Sequence, residues 1–236
     1  MEAARLLLKR EAPLRFVIEI DTQLPEPDDL DADEFDLLLG ARQTAFLLVQ
    51  DRSRPLTDRL ALLLCFAKRL QDNLTHDLPF CEALCRKYET RTYQDKLLIR
   101  IRRKRKHGSM TRTRQLLYAM EHLSQEFPTL LKELECVDLT PYAVPLEQLT
   151  VYFLFRWWLK AACDDRLWQQ AAATVVSVLT VAGLAKYAGS VTEAARLYSK
   201  EVEHSEENMT LLRRAMDLPL FSRNELLKLL EVHHAI

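Results

Sequence analysis

Four glycines in 236 residues, none beside another, limit what this chain can become. Tight hairpins and phosphate-cradling loops both depend on glycine, because only glycine takes positive φ without steric cost. Gly40, Gly108, Gly183 and Gly189 are isolated, so no dinucleotide-binding or P-loop turn is present. A methyltransferase fold built on a Gly-rich loop is disfavoured for the same reason. Leu and Ala are abundant, and apolar residues recur at three- and four-residue steps. These features predict an all-α protein, an irregular bundle of about seven to nine helices. Residues 1–236 read as a single helical domain, long enough to bury its core without disulfide support.

The densest signal lies in Pro145–Asn208. Nearly every residue from Val151 to Leu159 is apolar, interrupted only by Arg156. This stretch predicts the central buried helix. The rest of the chain is arranged around it. Glu2–Arg10 reads as a short helix. Leu14, Phe16, Ile18 and Ile20 alternate loosely, which suits one short extended segment near residues 14–21. An acidic connection covers residues 22–33, and a helix follows over Asp33–Val49 with Gly40 as its weak point. Ser53 as N-cap and Pro55 in the first turn open a helix that runs to Asn73. Leu78–Arg105 and Thr111–Leu134 read as helices separated by a break near residues 107–109, the second bent at Pro128. Helices then cover Glu147–Cys163 and Leu167–Tyr187. Gly189 fits a C′ position, and Ser190 with Glu193 reads as a capping box. The next helix extends to Met216, Pro219 ends it, and Ser222–Leu230 closes the chain.

Net charge is −1, which selects no partner, but its distribution is uneven. Residues 16–41 hold nine acids and no Lys or Arg; residues 96–114 hold nine bases and no Asp or Glu. The basic stretch includes Arg100, Arg102, Arg103, Lys104, Arg105 and Lys106. Phosphate binding needs little more than clustered charge. Yet no aromatic residue for base stacking interrupts Lys96–Arg114. The run reads as a solvated helix end, or a counterpart to the acidic block, ahead of a nucleic-acid surface. Five cysteines, an odd number, fit free thiols in a reducing cytoplasm. Met1–Arg10 is charged and lacks the apolar region of a signal peptide. Apolar runs fall short of the ~20 residues that span a bilayer, and Ala171–Ala185 carries Thr174, Ser177 and Thr180, so it reads as a buried helix.

The segment after Glu193 carries two stripes. Tyr198, Val202, Ser205, Met209, Leu212 and Met216 form one packed seam. Leu197, Glu201, His204, Asn208 and Leu211 form a second, apolar at both ends, which places its polar middle half-buried. Glu201 and His204 have the i, i+3 spacing of carboxylate-bridged metal sites, but the second copy that such sites need is absent. Cys81 and Cys85 stand one helical turn apart without further partners in the pattern, and read as buried apolar thiols. No metal ligand set is assigned.

Four blocks carry a resemblance. Glu2-Ala-Ala-Arg-Leu-Leu-Leu8 is similar to a segment of the flagellin lysine-N-methylase family that follows its cysteine-rich part. Gln50–Leu60 resembles that family's Asp-Arg…Pro-Leu…Arg-Leu helix start. Glu147–Lys160 is similar to its Glu-Asn…Tyr…Phe-Arg helix, and Ser199–Asn208 to its Ser-Arg…Glu-His…Asn signature. The resemblance implies transfer of a methyl group from S-adenosylmethionine to flagellin lysines in a bacterial cytoplasm. It also implies an iron–sulfur cluster held by an N-terminal cysteine region that precedes Glu2 in the family and has no counterpart here. The chain then corresponds to the C-terminal helical portion, without autonomous transfer and with neither cofactor bound to it alone. Carried over by position are Glu2, Arg5, Arg156, Ser199, Glu203, His204 and Asn208. Arg156, Glu203 and His204 are expected in one polar cluster where the two signature helices meet, shaping the surface for the cysteine region. The alternative is a non-catalytic helical interaction module that uses the basic face at residues 96–114 for a protein or nucleic-acid partner.

Overall fold

In the computed structural model, residues 2–16, 31–102 and 108–235 are described, and every regular element among them is helical. The chain runs α1 (Glu2–Lys9), α2 (Ala32–Gln50), α3 (Leu56–Gln71), α4 (Leu78–Glu89), α5 (Arg91–Arg102), α6 (Thr111–Tyr118) and α7 (Glu126–Leu131). It continues through α8 (Ala143–Trp157), α9 (Ala161–Asp164), α10 (Leu167–Ala188), α11 (Val191–Tyr198), α12 (Glu206–Ala215) and α13 (Arg223–Ala235). The all-α class is the expected one. Helical segments outnumber the expected seven to nine, because several long stretches are divided. Most of the proposed extended segment and of the acidic connection lies outside the described residues.

Helix α10 is the axis of the molecule. Every residue from Gln170 to Ala185 is buried, so the helix is enclosed on all sides. By length and composition it is apolar enough to cross a bilayer, but here α3, α8, α11 and α12 cover it. Its buried hydroxyls are satisfied along the helix: Thr174, Ser177 and Thr180 each donate to the carbonyl four residues back, at 2.7–2.9 Å. Gly183 admits a close crossing, since a Cβ there would stand 2.7 Å from the Glu135 carbonyl oxygen. Gly189 ends the helix at φ 82°. Ser190 Oγ then accepts the Glu193 N–H at 3.1 Å and starts α11.

Helix α8, expected as the central buried helix, instead lies on one side of α10. Its outer face is open, with Phe155 44% exposed and Arg156 beside it. Four further boundaries differ from expectation. Ser53 does not cap α3; its hydroxyl bonds the Asp51 carboxylate, and Pro55 takes the cap position. The long helix expected from Leu78 breaks at Thr90, whose extended ψ of 117° separates α4 from α5. The one expected from Thr111 opens into a loop over residues 119–125, because Pro128 sits in the first turn of α7 and marks a start rather than a bend. The helix expected to reach Met216 passes through a π turn at Ser199–Glu203 and stops at His204; Ser205 caps α12 by accepting the Asn208 N–H.

Candidate functional site

The π turn decides which signature side chains meet. In a π turn the His204 N–H donates to the Ser199 carbonyl, five residues back, at 2.9 Å, so one extra residue enters the turn. That shift turns Glu203 inward against α8 and leaves His204 outside. Glu203 is buried. Its carboxylate accepts from the Ser199 hydroxyl, from Arg156, and from the Tyr152 hydroxyl at 2.9 Å. Arg156 also donates to the Tyr152 oxygen at 2.8 Å. Burial, with the Glu203 charge beside it, pushes the Tyr152 phenol above its ordinary value, so it remains a proton donor. Tyr152 and Arg156 stand four residues apart and share one face of α8.

Thus Arg156, Ser199 and Glu203 come together, with Tyr152 as the fourth member. His204 does not join them. It is exposed, contrary to the half-buried position expected from an unbroken helical stripe. Asn208 belongs to a neighbouring clasp. Its side-chain oxygen accepts the Glu121 N–H at 3.0 Å, and its amide group donates to the carbonyls of Glu121 and Glu201 at 2.8 and 2.7 Å. Glu201 is 1% exposed. Its carboxylate accepts the Leu123 N–H at 2.7 Å and the Ser124 hydroxyl at 2.5 Å. Together Glu201 and Asn208 fasten the loop at residues 119–125: past Met120, whose amide still bonds α6, the amides of Glu121 and Leu123 take these side chains as partners.

A third centre joins the Gln50–Leu60 block to the start of the Glu147–Lys160 block. Glu147 is fully buried. Arg52 grips its carboxylate with two nitrogens at 2.9 Å, and Arg59 adds a contact at 2.7 Å while donating to the Val49 carbonyl at 2.6 Å. Sequence reasoning did not single out this centre, nor Glu201 as a loop anchor. The signal for the first was present: two arginines and a glutamate within separate family-like blocks.

The other assigned positions are less gathered. Side chains of Glu2 and Arg5, and all of Arg103, Lys104, Arg105 and Lys106, lie outside the described residues. Arg102 is tied to Asp58 at 2.5 Å, whereas Arg100 is exposed. The cysteines do not fit an iron–sulfur cluster. Among the described residues no three His, Cys, Asp or Glu side chains group to hold a metal ion. Burial pushes the thiols of Cys65, Cys81 and Cys85 up to about 11, away from the thiolate a cluster requires. Nor does any glycine form a cradle for S-adenosylmethionine. A Cβ at Gly40 or Gly189 meets nothing within 4 Å, and those at Gly108 and Gly183 meet the protein's own backbone at 2.5 and 2.7 Å.

No curated protein and no solved structure matches the chain. Residues 42–229 match the family described as the FliB lysine N-methylase C-terminal domain. That range takes in α3, α8, the π turn and α12, hence all three polar centres. On this match the chain belongs to the family of FliB lysine N-methylase C-terminal domains.

Proposed function

We propose that the chain is the helical part of a protein that methylates flagellin lysines, with S-adenosylmethionine as methyl donor, in a bacterial cytoplasm. The family match over residues 42–229 carries this reading. S-adenosylmethionine supplies an electrophilic methyl group. The residues described here supply positioning. Tyr152, Arg156, Ser199 and Glu203 lock α8 to the π turn, and Arg156, 41% exposed, presents the outer edge of that lock to solvent. Glu201 and Asn208 hold the adjoining loop. The two clasps together form a rigid surface on which a methyl-transferring region seats. An iron–sulfur cluster has no ligand set among these residues and belongs, on this reading, to that region.

The test is genetic and chemical. Flagellin is purified from the parent bacterium, from a strain deleted for this chain, and from the deletion strain complemented in trans. Peptide masses then report methyl-lysine. Methyl-lysine lost on deletion and restored by complementation supports the reading; flagellin with unchanged methyl-lysine in the deletion strain overturns it. Complementation with Glu203→Ala, expressed at the parent level, is expected to restore less methyl-lysine.

A further inference from the structure

Away from the signature residues, α3, α4, α5 and α13 leave an open cleft of about 620 Å³. That volume lies within the ~300–1,000 Å³ typical of small-molecule sites. Three independent features of its lining favour an anion. First, the opening turn of α13, Ser222–Glu225, borders the cleft. A helix start carries unpaired N–H groups and a partial positive charge. Second, Arg100 and Arg223 line it, and neither has a hydrogen bond or ion pair with another described residue. The acids on the same wall have partners: Glu225 pairs with Arg112 at 3.0 Å and with Lys228, itself a lining residue, at 2.5 Å, and Glu231 also has a partner. Third, Tyr88 lines the cleft with its ring fully buried; its hydroxyl lies near Tyr93 but makes no close hydrogen bond. Burial pushes that phenol well above its ordinary value, so it stays a donor. A buried donor left unpaired costs stability unless a ligand uses it. Leu97, Ile101 and Leu227 supply an apolar side to the same cleft.

We propose that this cleft binds a small organic anion whose phosphate or carboxylate head sits between Arg100, Arg223 and the first turn of α13, with an apolar body against Leu97 and Leu227. Planar guanidinium forks match both head groups. The site is separate from the α8–π turn clasp and does not depend on the methylase reading.

Titration calorimetry of the whole chain tests it with three probes: phenyl phosphate, benzoate and inorganic phosphate. Phenyl phosphate or benzoate is expected to bind at one site and more tightly than inorganic phosphate, and the better of the two identifies the head. Arg223→Ala is expected to weaken binding by about tenfold or more. Tyr88→Phe is expected to weaken binding while leaving the melting temperature of the free protein unchanged or raised, because it removes an unsatisfied group. Failure of both organic probes to bind at millimolar concentration overturns the proposal. So does binding indifferent to Arg223→Ala and Arg100→Ala, or inorganic phosphate binding as tightly as phenyl phosphate. A lower melting temperature for free Tyr88→Phe assigns the hydroxyl to the fold and removes it from the site.

Discussion

Glu147 and Glu203 are both buried carboxylates gripped by arginine, yet the two pairs differ in what their loss exposes. Arg59 is 3% exposed and Arg52 lies at the rim, so removing Glu147 strands a guanidinium in the interior. A buried charge deprived of its partner costs about 3–5 kcal/mol, and Glu147→Ala is expected to lower unfolding free energy by that amount in urea titration. Arg156 is 41% exposed, so water screens its pair with Glu203. Removing Glu203 leaves that guanidinium to water rather than stranded in the interior. Glu203→Ala is therefore expected to cost less, about 1–2 kcal/mol, chiefly from the Tyr152 and Ser199 hydroxyls that lose their acceptor. Equal losses in the two variants would contradict the assignment of burial as the deciding term.

At the level of helices, Gly40 and the loop at residues 119–125 offer opposite tests. Gly40 lies inside α2, exposed, with nothing within 4 Å of a Cβ placed there. Gly40→Ala is expected to raise stability by about 0.5–1 kcal/mol, since helical glycine loses more backbone entropy than alanine. The loop depends on side chains borrowed from α12 and the π turn. Asn208→Ala removes two of the loop's bonds, both at Glu121, and a third to the Glu201 carbonyl; it is expected to cost about 1–3 kcal/mol, with amide exchange accelerated at Glu121–Ser124 ahead of the rest of the chain. Uniform loss of protection would mean that the loop is not a separate unit. These elements also mark where the sequence was readable. Periodicity placed α2, α3 and α10 closely, because each is long and its neighbours impose no break; it placed the start of α13, which runs on to Ala235, past the expected end at Leu230. The cap at Ser190 and the stop at Gly189 were legible from local chemistry. The break at Ser205 had a signal too, a serine followed by Glu206 and Glu207, but it was masked by an apolar seam that continues through it. The π turn had no signal of that kind. One inserted residue moved His204 to solvent and Glu203 to the interior, and a 3.6-residue template cannot register such a shift.

Across the whole molecule, the C-terminal helix α13 closes the bundle over the segment before α8, and one histidine makes that closure sensitive to acid. His233 is 1% exposed, and its Nδ1 lies 2.8 Å from the Val137 carbonyl and 3.2 Å from the Val137 amide, while Nε2 has no partner. Burial pulls its pKa down to about 4 from the ordinary 6.5, the hydrogen bond to Val137 working weakly in the other direction. The folded chain thus holds His233 neutral where the unfolded chain would protonate it. Stability from this group is complete above pH 6.5 and declines as pH falls toward 4, because the unfolded state binds the extra proton in that interval. A depression of this size corresponds to about 3 kcal/mol in total. The interval lies above the range where Asp51, Glu135 and Glu225 titrate, all three of which are held below ordinary carboxylate values by hydrogen bonds and nearby cations against the opposing effect of burial. Urea unfolding at pH 7, 6, 5 and 4.5 is expected to show a loss already under way by pH 5. His233→Gln, which cannot protonate, is expected to start from a lower stability and to lose little of it over the same interval. A parallel decline in both proteins would place the acid sensitivity elsewhere than at the contact between α13 and Val137.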